Sequence, residues 1–336
     1  MYKLKNSLIA LASLIVVIAM ASAAAAQEFS DWSAPVNLGP LINSAVNENH
    51  PAISKDGLSL YFSSERPGGC GGFDIWVSQR ASVDSPWEAP FNLGCTINSN
   101  ANDLGSNLTT DGHLLFFHSF RANDNCGGGD IFYTHRKNRR DDLGWETPRN
   151  LNRFGRDPDE SLLCGAIGST ILVNTPNTDG GPNHFQDEAT GVTVLYFTRS
   201  DQPTMLGDFD IYTATLGADG TWGMVARDNE LSTTPFRDTR TAIRRRDGLE
   251  MILSTERPGG LGTTSRDLWF STRGSTFDPW SIPMLLPNVN TTALEGAPAL
   301  SWDGTELYFL SGRAGGFGGN DFYLSTRTKV TGPPQP

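Results

Sequence analysis

Residues 48–94 read ENHPAISKDGLSLYFSSERPGGCGGFDIWVSQRASVDSPWEAPFNLG, and residues 295–327 read EGAPALSWDGTELYFLSGRAGGFGGNDFYLSTR. The second string restates the first near the other end of the chain. Self-similarity of this kind is the signature of a repeat architecture. Three more copies lie between, two of them regular. One carries Asp111-Gly112 with LLFFHSFR and GGGDIFYTHR; the other carries Asp247-Gly248 with EMILSTERPGG and RDLWFSTR. The third copy in chain order is degenerate. It has Gly168-Ser169 in place of Asp-Gly, an extra stretch from Asn174 to Gly191, and recovers the pattern at VLYFTRS and GDFDIYTATL. Two series of anchors agree on the period. Asp74, Asp130, Asp210, Asp267 and Asp321 open one strand, and Trp32, Trp87, Trp145, Trp222 and Trp280 close each unit. Outside the third copy both series step by 54 to 58 residues.

Each unit reads as four strands. Strand A, near Pro51 to Ser54, turns at Asp56-Gly57, a pair suited to a tight hairpin with positive φ. Strand B is LSLYFSS. A glycine-rich loop leads to strand C, DIWVSQ, and strand D is the W-x-x-P-x-N-L-G segment. Four-stranded units arranged radially are propeller blades. The 36 glycines and abundant Trp and Phe suit many short strands, and no long amphipathic helix pattern stands out. The ends are complementary. Residues 29–39 hold a strand-D segment with no A, B or C before it, while the last unit, 294–328, has A, B and C and no D. The expectation is an all-β, five-bladed propeller of antiparallel blades, over 27–330. Its repeats are about 48–94, 102–152, 159–231, 237–288 and 294–328, and residues 29–39 complete the last blade. Such closure protects two otherwise exposed edges.

Residues 1–26 read as a secretory signal peptide: Lys3 and Lys5, an apolar run from Leu8 to Met20, then Ala24-Ala25-Ala26. No second apolar run is long enough to span a bilayer. Residues 331–336 read as a tail. The chain carries a formal charge of −11, and loss of the two lysines makes it more acidic still. An acidic surface repels phosphate backbones, so nucleic acid is excluded as a partner, and cations or neutral and basic ligands are favoured. Four cysteines in an exported chain favour disulfides. Cys70 and Cys126 occupy matching loop positions, and the expected pairs are Cys70–Cys95 and Cys126–Cys164, with Cys70–Cys126 as the rival. None forms a CxxC pair, so no zinc site is expected.

The strings SKDGLSLYFSSERPGG and GGFDIWVSQR resemble the WD-like propeller repeats of TolB-type periplasmic proteins, which also run P-x-x-S-x-D-G, an aromatic strand, then D-I-W/Y. The resemblance covers the whole mature chain. It implies a propeller fold; such repeats occur in binding proteins, envelope scaffolds and domains attached to hydrolases. The chain departs from TolB itself, which has six blades and an additional N-terminal α/β domain.

Charged residues recur by blade. Acids precede the Asp-Gly turns at Glu48, Asp103, Glu160 and Glu295, with Asp238 one residue off register. Strand B ends in Arg66, Arg121, Arg199, Arg257 and Arg313. With the strand-C aspartates, these arginines read as an ion-pair and loop-capping device, since a folding device must repeat in every unit. The acids entering strand A sit nearest the axis and are ligand candidates. His50 and His118 break the symmetry and join them, as do His184 and Asp187 in the third copy's extra stretch, which reads either as a lid or cation site or as a surface loop. That stretch lacks calcium-loop spacing, although a structural calcium ion fits the acidic composition. There is no G-x-S-x-G, H-E-x-x-H or phosphate loop. No metal and no cofactor are expected. The leading expectation is therefore a monomeric, periplasmic or secreted binding module of the cell envelope, taking a protein, peptide or glycan. The alternative is an extracellular carbohydrate-active enzyme, a glycoside hydrolase or lyase, using acids at the axial funnel.

Overall fold

In four of the five repeats the Asp-Gly pair makes the first turn. Gly57, Gly112, Gly248 and Gly304 have φ between 70° and 76°, which an L-side chain rarely adopts. The aspartate closes the turn with its side chain: Asp56 accepts from the Ser54 hydroxyl at 2.7 Å and from the Leu58 amide at 3.1 Å. In the computed structural model, which describes residues 29–157, 159–166, 168–200, 209–233, 235–262 and 266–330, the strands form five four-stranded antiparallel sheets. The segments assigned to a signal peptide and a tail lie outside the described residues.

Strand A is innermost, and the five copies are Glu48–Ile53, Asp103–Leu108, Asp179–Gln186, Asp238–Ile243 and Glu295–Leu300. Each touches the strand A of the blades before and after it, and the last touches the first, so the ring is closed. Strand B (Ser59–Ser64 in blade 1) is buried on both faces, because each blade is sandwiched between two others. That is why LSLYF lacks strict alternation. Five apolar clusters fill the gaps between blades, and each receives one closing tryptophan: Trp87, Trp145, Trp222, Trp280 or Trp32.

Closure follows the expected route. Val36 and Asn37 pair with Leu324 and Tyr323 of the last strand C, so strand D of blade 5 comes from the start of the propeller unit, Trp32–Thr326. A separate small terminal unit pairs Phe29 with Lys329 and lays Arg327 over the Phe29 ring. Cys70 joins Cys95 and Cys126 joins Cys164, which excludes the Cys70–Cys126 link. Each bond ties a B–C loop to the connection leading into the next blade.

The third blade differs from the expectation. Its strand A is Asp179–Gln186, not a segment near Glu160, and it turns at Asp187–Gly191. The additional residues precede strand A rather than follow it. The reason is chemical: Asp179 carries the acid that heads strand A, while Gly168-Ser169 forms an unrelated turn. Glu160 lies exposed in the loop before the strand.

Trp32 is the device that holds the ring shut, since it seats the completing strand between blades 4 and 5. Trp32→Ala is expected to cost about 3–5 kcal/mol, the range for a buried Trp or Phe lost from a core. Chemical denaturation should show one cooperative transition shifted to lower denaturant; an unshifted midpoint would mean that closure does not depend on this contact.

Candidate functional site

The site forms where the five A strands meet the axis. Strand A does not pair with strand B in simple register. A shift occurs at the same place in every blade, between Asn49 and Ala52, Leu104 and Asn107, Gly180 and Asn183, Thr239 and Thr241, and Gly296 and Ala299. At this bulge the backbone turns left-handed, at His50 (φ 54°), Gly105 (69°), Gly181 (63°), Arg240 (49°) and Ala297 (46°). These five residues line a narrow axial cavity of about 30 Å³. Arg245 lines it further along and donates to the Leu108 and Ile53 carbonyls at 3.2 and 2.7 Å. Left-handed backbone costs a non-glycine residue on the order of 1–2 kcal/mol, so His50, Arg240 and Ala297 hold their places against a local penalty.

Two residues before each bulge, an acid heads the strand and is wholly buried. Glu48 pairs with Arg66 at 3.1 Å, Asp103 with Arg121 at 2.7 Å, Asp179 with Arg199 at 2.6 Å, Asp238 with Arg257 at 3.0 Å and Glu295 with Arg313 at 3.1 Å. Each carboxylate also accepts an amide of the preceding loop, from Ser44, Ser99, Thr175, Thr233 or Thr291. Each arginine in turn donates to the carbonyl of Ile42, Ile97, Val173, Leu231 or Val289, a residue of an interblade cluster. The terminal arginines therefore pair with the strand-A acids and not with the strand-C aspartates. Glu48, Asp103 and Glu295 have no surface to offer a ligand.

The strand-C aspartates cap the B–C loops. Asp74, Asp130, Asp267 and Asp321 accept the amides of Cys70, Cys126, Leu261 and Phe317. Asn92, Asn150 and Asn37 of strand D hold three of them from the other side. Asp210 departs from this and pairs with Arg227 at 2.7 Å. Burial pushes Asp130 up to about 7, against the Cys126 amide and Asn150, which pull it down.

The histidines part ways. His50 and His118 meet edge to face, with ring centres 5.9 Å apart. Burial and the nearby Arg240 hold both far below the ordinary imidazole range. Arg240 Nη2 lies 3.2 Å from His118 Nδ1. A guanidinium only donates, so Nδ1 accepts and the ring proton sits on Nε2. His184 lies elsewhere. It is buried, stacked on Phe116, and lowered to about 4 by burial and Arg245. Asp187 sits at the far end of that strand, accepting from Thr276 at 2.6 Å. His50 and His118 therefore come together, while Glu160, His184 and Asp187 stay apart from them. Among the described residues no group of three or more His, Cys, Asp and Glu is placed to hold a metal.

Four residues absent from the sequence expectation belong to this site. Arg240 stands where blades 2 and 3 carry Gly105 and Gly181; the off-register Asp238 hid that alignment. Arg266, just before strand C of blade 4, donates to Thr239 at 3.3 Å and lies 4.0 Å from Glu256. Glu65 and Glu256 follow strand B in blades 1 and 4, where their amides bond the residues preceding strand A. Glu65 is exposed and Glu256 about one-third exposed (34%), so these carboxylates remain reachable beside the segments that lead into strand A. A second cavity, of about 690 Å³, opens at the A–B turns and is lined by Trp302, Lys55, Arg139 and Arg140.

No family model and no curated protein matches the chain. Among solved structures it is similar to the catalytic domain of a GH62 α-L-arabinofuranosidase of Coprinopsis cinerea (TM-score 0.52, 14% identity, 90% of this chain and 98% of that one). It is likewise similar to a family 117 glycoside hydrolase of Zobellia galactanivorans (0.53, 12%, 89% and 91%) and a Bacillus subtilis levansucrase in complex with oligosaccharides (0.53, 12%, 88% and 87%). At such identities the likeness is one of fold. It corrects the TolB-type resemblance: the neighbours are five-bladed glycoside hydrolase propellers. It also corrects the expectation of a non-catalytic envelope module, which rested on the regular repeat and the lack of a catalytic motif: the neighbours favour the alternative reading. The repeat strings mislead because they encode the turn, the ion pair and the core, which any propeller needs.

Two predictions test the division between architecture and site. Glu48→Gln strands Arg66 in a buried position and is expected to cost about 3–5 kcal/mol, read by denaturant unfolding; an unchanged midpoint would return Glu48 to the list of ligand residues. Asp130 binds its proton more tightly in the folded state than in the unfolded chain. The stabilisation this gives is fully present below about pH 4 and is lost as pH rises to about 7. Asp130→Asn should therefore flatten the fall in thermal midpoint between pH 4 and 7, and an unchanged slope would show that Asp130 ionises normally.

Proposed function

We propose that this protein is a carbohydrate-active enzyme that receives a sugar at the mouth of the axial funnel, with Glu65 and Glu256 as its working carboxylates. The single observation that carries this reading is the pair itself. The ring acids are locked in buried ion pairs, while these two stand at equivalent positions in different blades, next to the segments leading into strand A, and are reachable from solvent. Glycosidic cleavage needs two carboxylates, one to protonate the leaving oxygen and one to act on the sugar's opposite side. The fold likeness to glycoside hydrolases over about nine-tenths of the chain supports the same class. The two disulfides fit work in an oxidising, extracytoplasmic compartment. Among the described residues no helix is long and apolar enough to cross a membrane.

The test is release of sugar from oligosaccharides ending in arabinose, xylose, galactose, fructose or a uronic acid. Turnover of at least one is expected, with kcat/KM falling about a hundredfold or more in Glu65→Gln and in Glu256→Gln. Both variants should keep the wild-type melting temperature, since neither carboxylate is buried. The reading fails if the wild type turns over nothing in the panel, or if both variants retain full activity.

A further inference from the structure

The five arginines that end strand B each have a carboxylate, and the arginine at the axial bulge of blade 4 has none among the described residues. Arg66, Arg121, Arg199, Arg257 and Arg313 are matched one to one with the ring acids. Arg240, at the axis, makes no ion pair with any described carboxylate, and its recorded polar partner is His118 Nδ1. An unmatched charge that is even half-buried, as Arg240 is, is costly. Burial and the neighbouring Arg266 bring Arg240 down to about 9, still protonated at neutral pH.

The chain makes room for this group. A Cβ on Gly105 would fall 2.2 Å from Arg240 Nη1, and one on Gly181 would fall 3.1 Å from Arg240 Cδ. Two blades thus have glycine where a third sends a guanidinium across the axis. The same arginine sits in left-handed backbone. Strain and uncompensated charge at one residue lining a cavity mark a functional position. His50 adjoins it with an unpartnered buried Nδ1.

We infer that the floor of the axial funnel is an anion site, built by Arg240 with His50, His118 and Arg266, that takes the carboxylate of an acidic sugar. The assignment of a sugar rests on the proposed function; the anion site itself does not. The charge of the site calls for an anion. Arg266 has Glu256 nearby at 4.0 Å, and Arg245 spends donors on the Leu108 and Ile53 carbonyls, whereas Arg240 has donors left to meet a carboxylate. A guanidinium fork matches a carboxylate in geometry. Size decides what enters. The cavity of about 30 Å³ has room for a small group such as a carboxylate, whereas a cavity that takes a benzene ring measures about 150 Å³. The ring therefore stays above, at the level of Glu65 and Glu256.

The probes are galacturonic acid, galactose, sodium acetate and sodium sulfate, measured at matched ionic strength by calorimetry and thermal shift. The variant is Arg240→Gly, which installs the residue blades 2 and 3 already carry and relieves the left-handed strain, so it should fold at least as well as the wild type. Galacturonic acid is expected to bind the wild type at least tenfold more tightly than galactose, and that preference should vanish in the variant. Equal binding of the two sugars, unaffected by Arg240→Gly, overturns the anion site and leaves the carbohydrate reading standing. Acetate stabilising the wild type alone, with neither sugar bound, upholds the anion site and removes the sugar. Sulfate binding in place of acetate and galacturonic acid overturns the carboxylate assignment, and no response to any anion overturns the inference entirely.

Discussion

A carboxylate buried at the head of the innermost strand is the constraint from which the rest of this structure follows. It cannot exist there unpaired, so strand B must end in an arginine directly beside it. That arginine has donors left over, and one goes to a carbonyl in the connection from the previous blade. The carbonyl belongs to Ile42, Ile97, Val173, Leu231 or Val289, whose side chains lie in the interblade clusters. One ion pair thus fixes the register of strands A and B, the exit of the preceding loop and the seating of one blade on the next. Its net contribution to stability is small by comparison with the cost of breaking it. What it supplies is a unique geometry, repeated until the ring closes.

That geometry separates charges that build from charges that act. The strand-A acids and strand-B arginines repeated in all blades are paired with one another, and the buried acids offer nothing to a ligand. Function has to sit where the repeat fails. Arg240 is such a place, and so is His118, which stands level with Ser63 of blade 1. Net charge gives no guide here. The chain is strongly acidic, yet Arg240, Arg245 and Arg266 gather near its axis. The surface acids set solubility and long-range steering, whereas a recessed site answers to the few groups within reach of it.

The fold was legible because its signals are local. Asp-Gly turns, closing tryptophans and complementary ends each follow from one residue's backbone or packing needs. The third blade misleads for the converse reason. Counting back from Gly168-Ser169 gives Glu160, whereas the acid that matters is the one an arginine can reach, Asp179. The strand-C aspartates are the arginines' neighbours in sequence, yet pairing across strands A and B decides their partners. The axial site was the least legible. Arg240 acquires meaning only when five left-handed positions are superposed, and no spacing rule shows that one side chain occupies space two glycines have vacated.

The bulge explains why the axis can host such a group at all. In a regular strand alternate residues would face the neighbouring blades, and five large side chains at one level would collide at the centre. The left-handed residue breaks the alternation and aims a single position at the axis. Glycine and alanine there leave space, and a long side chain from one blade can then use what the others leave empty. The cost is strain at each non-glycine position, and it is met because the ion pair two residues earlier holds the strand in place. The buried acids and the axial arginine are consequently not two sites competing for one ligand. The first set makes the scaffold rigid enough to keep the second strained, charged and unmatched until an anion arrives.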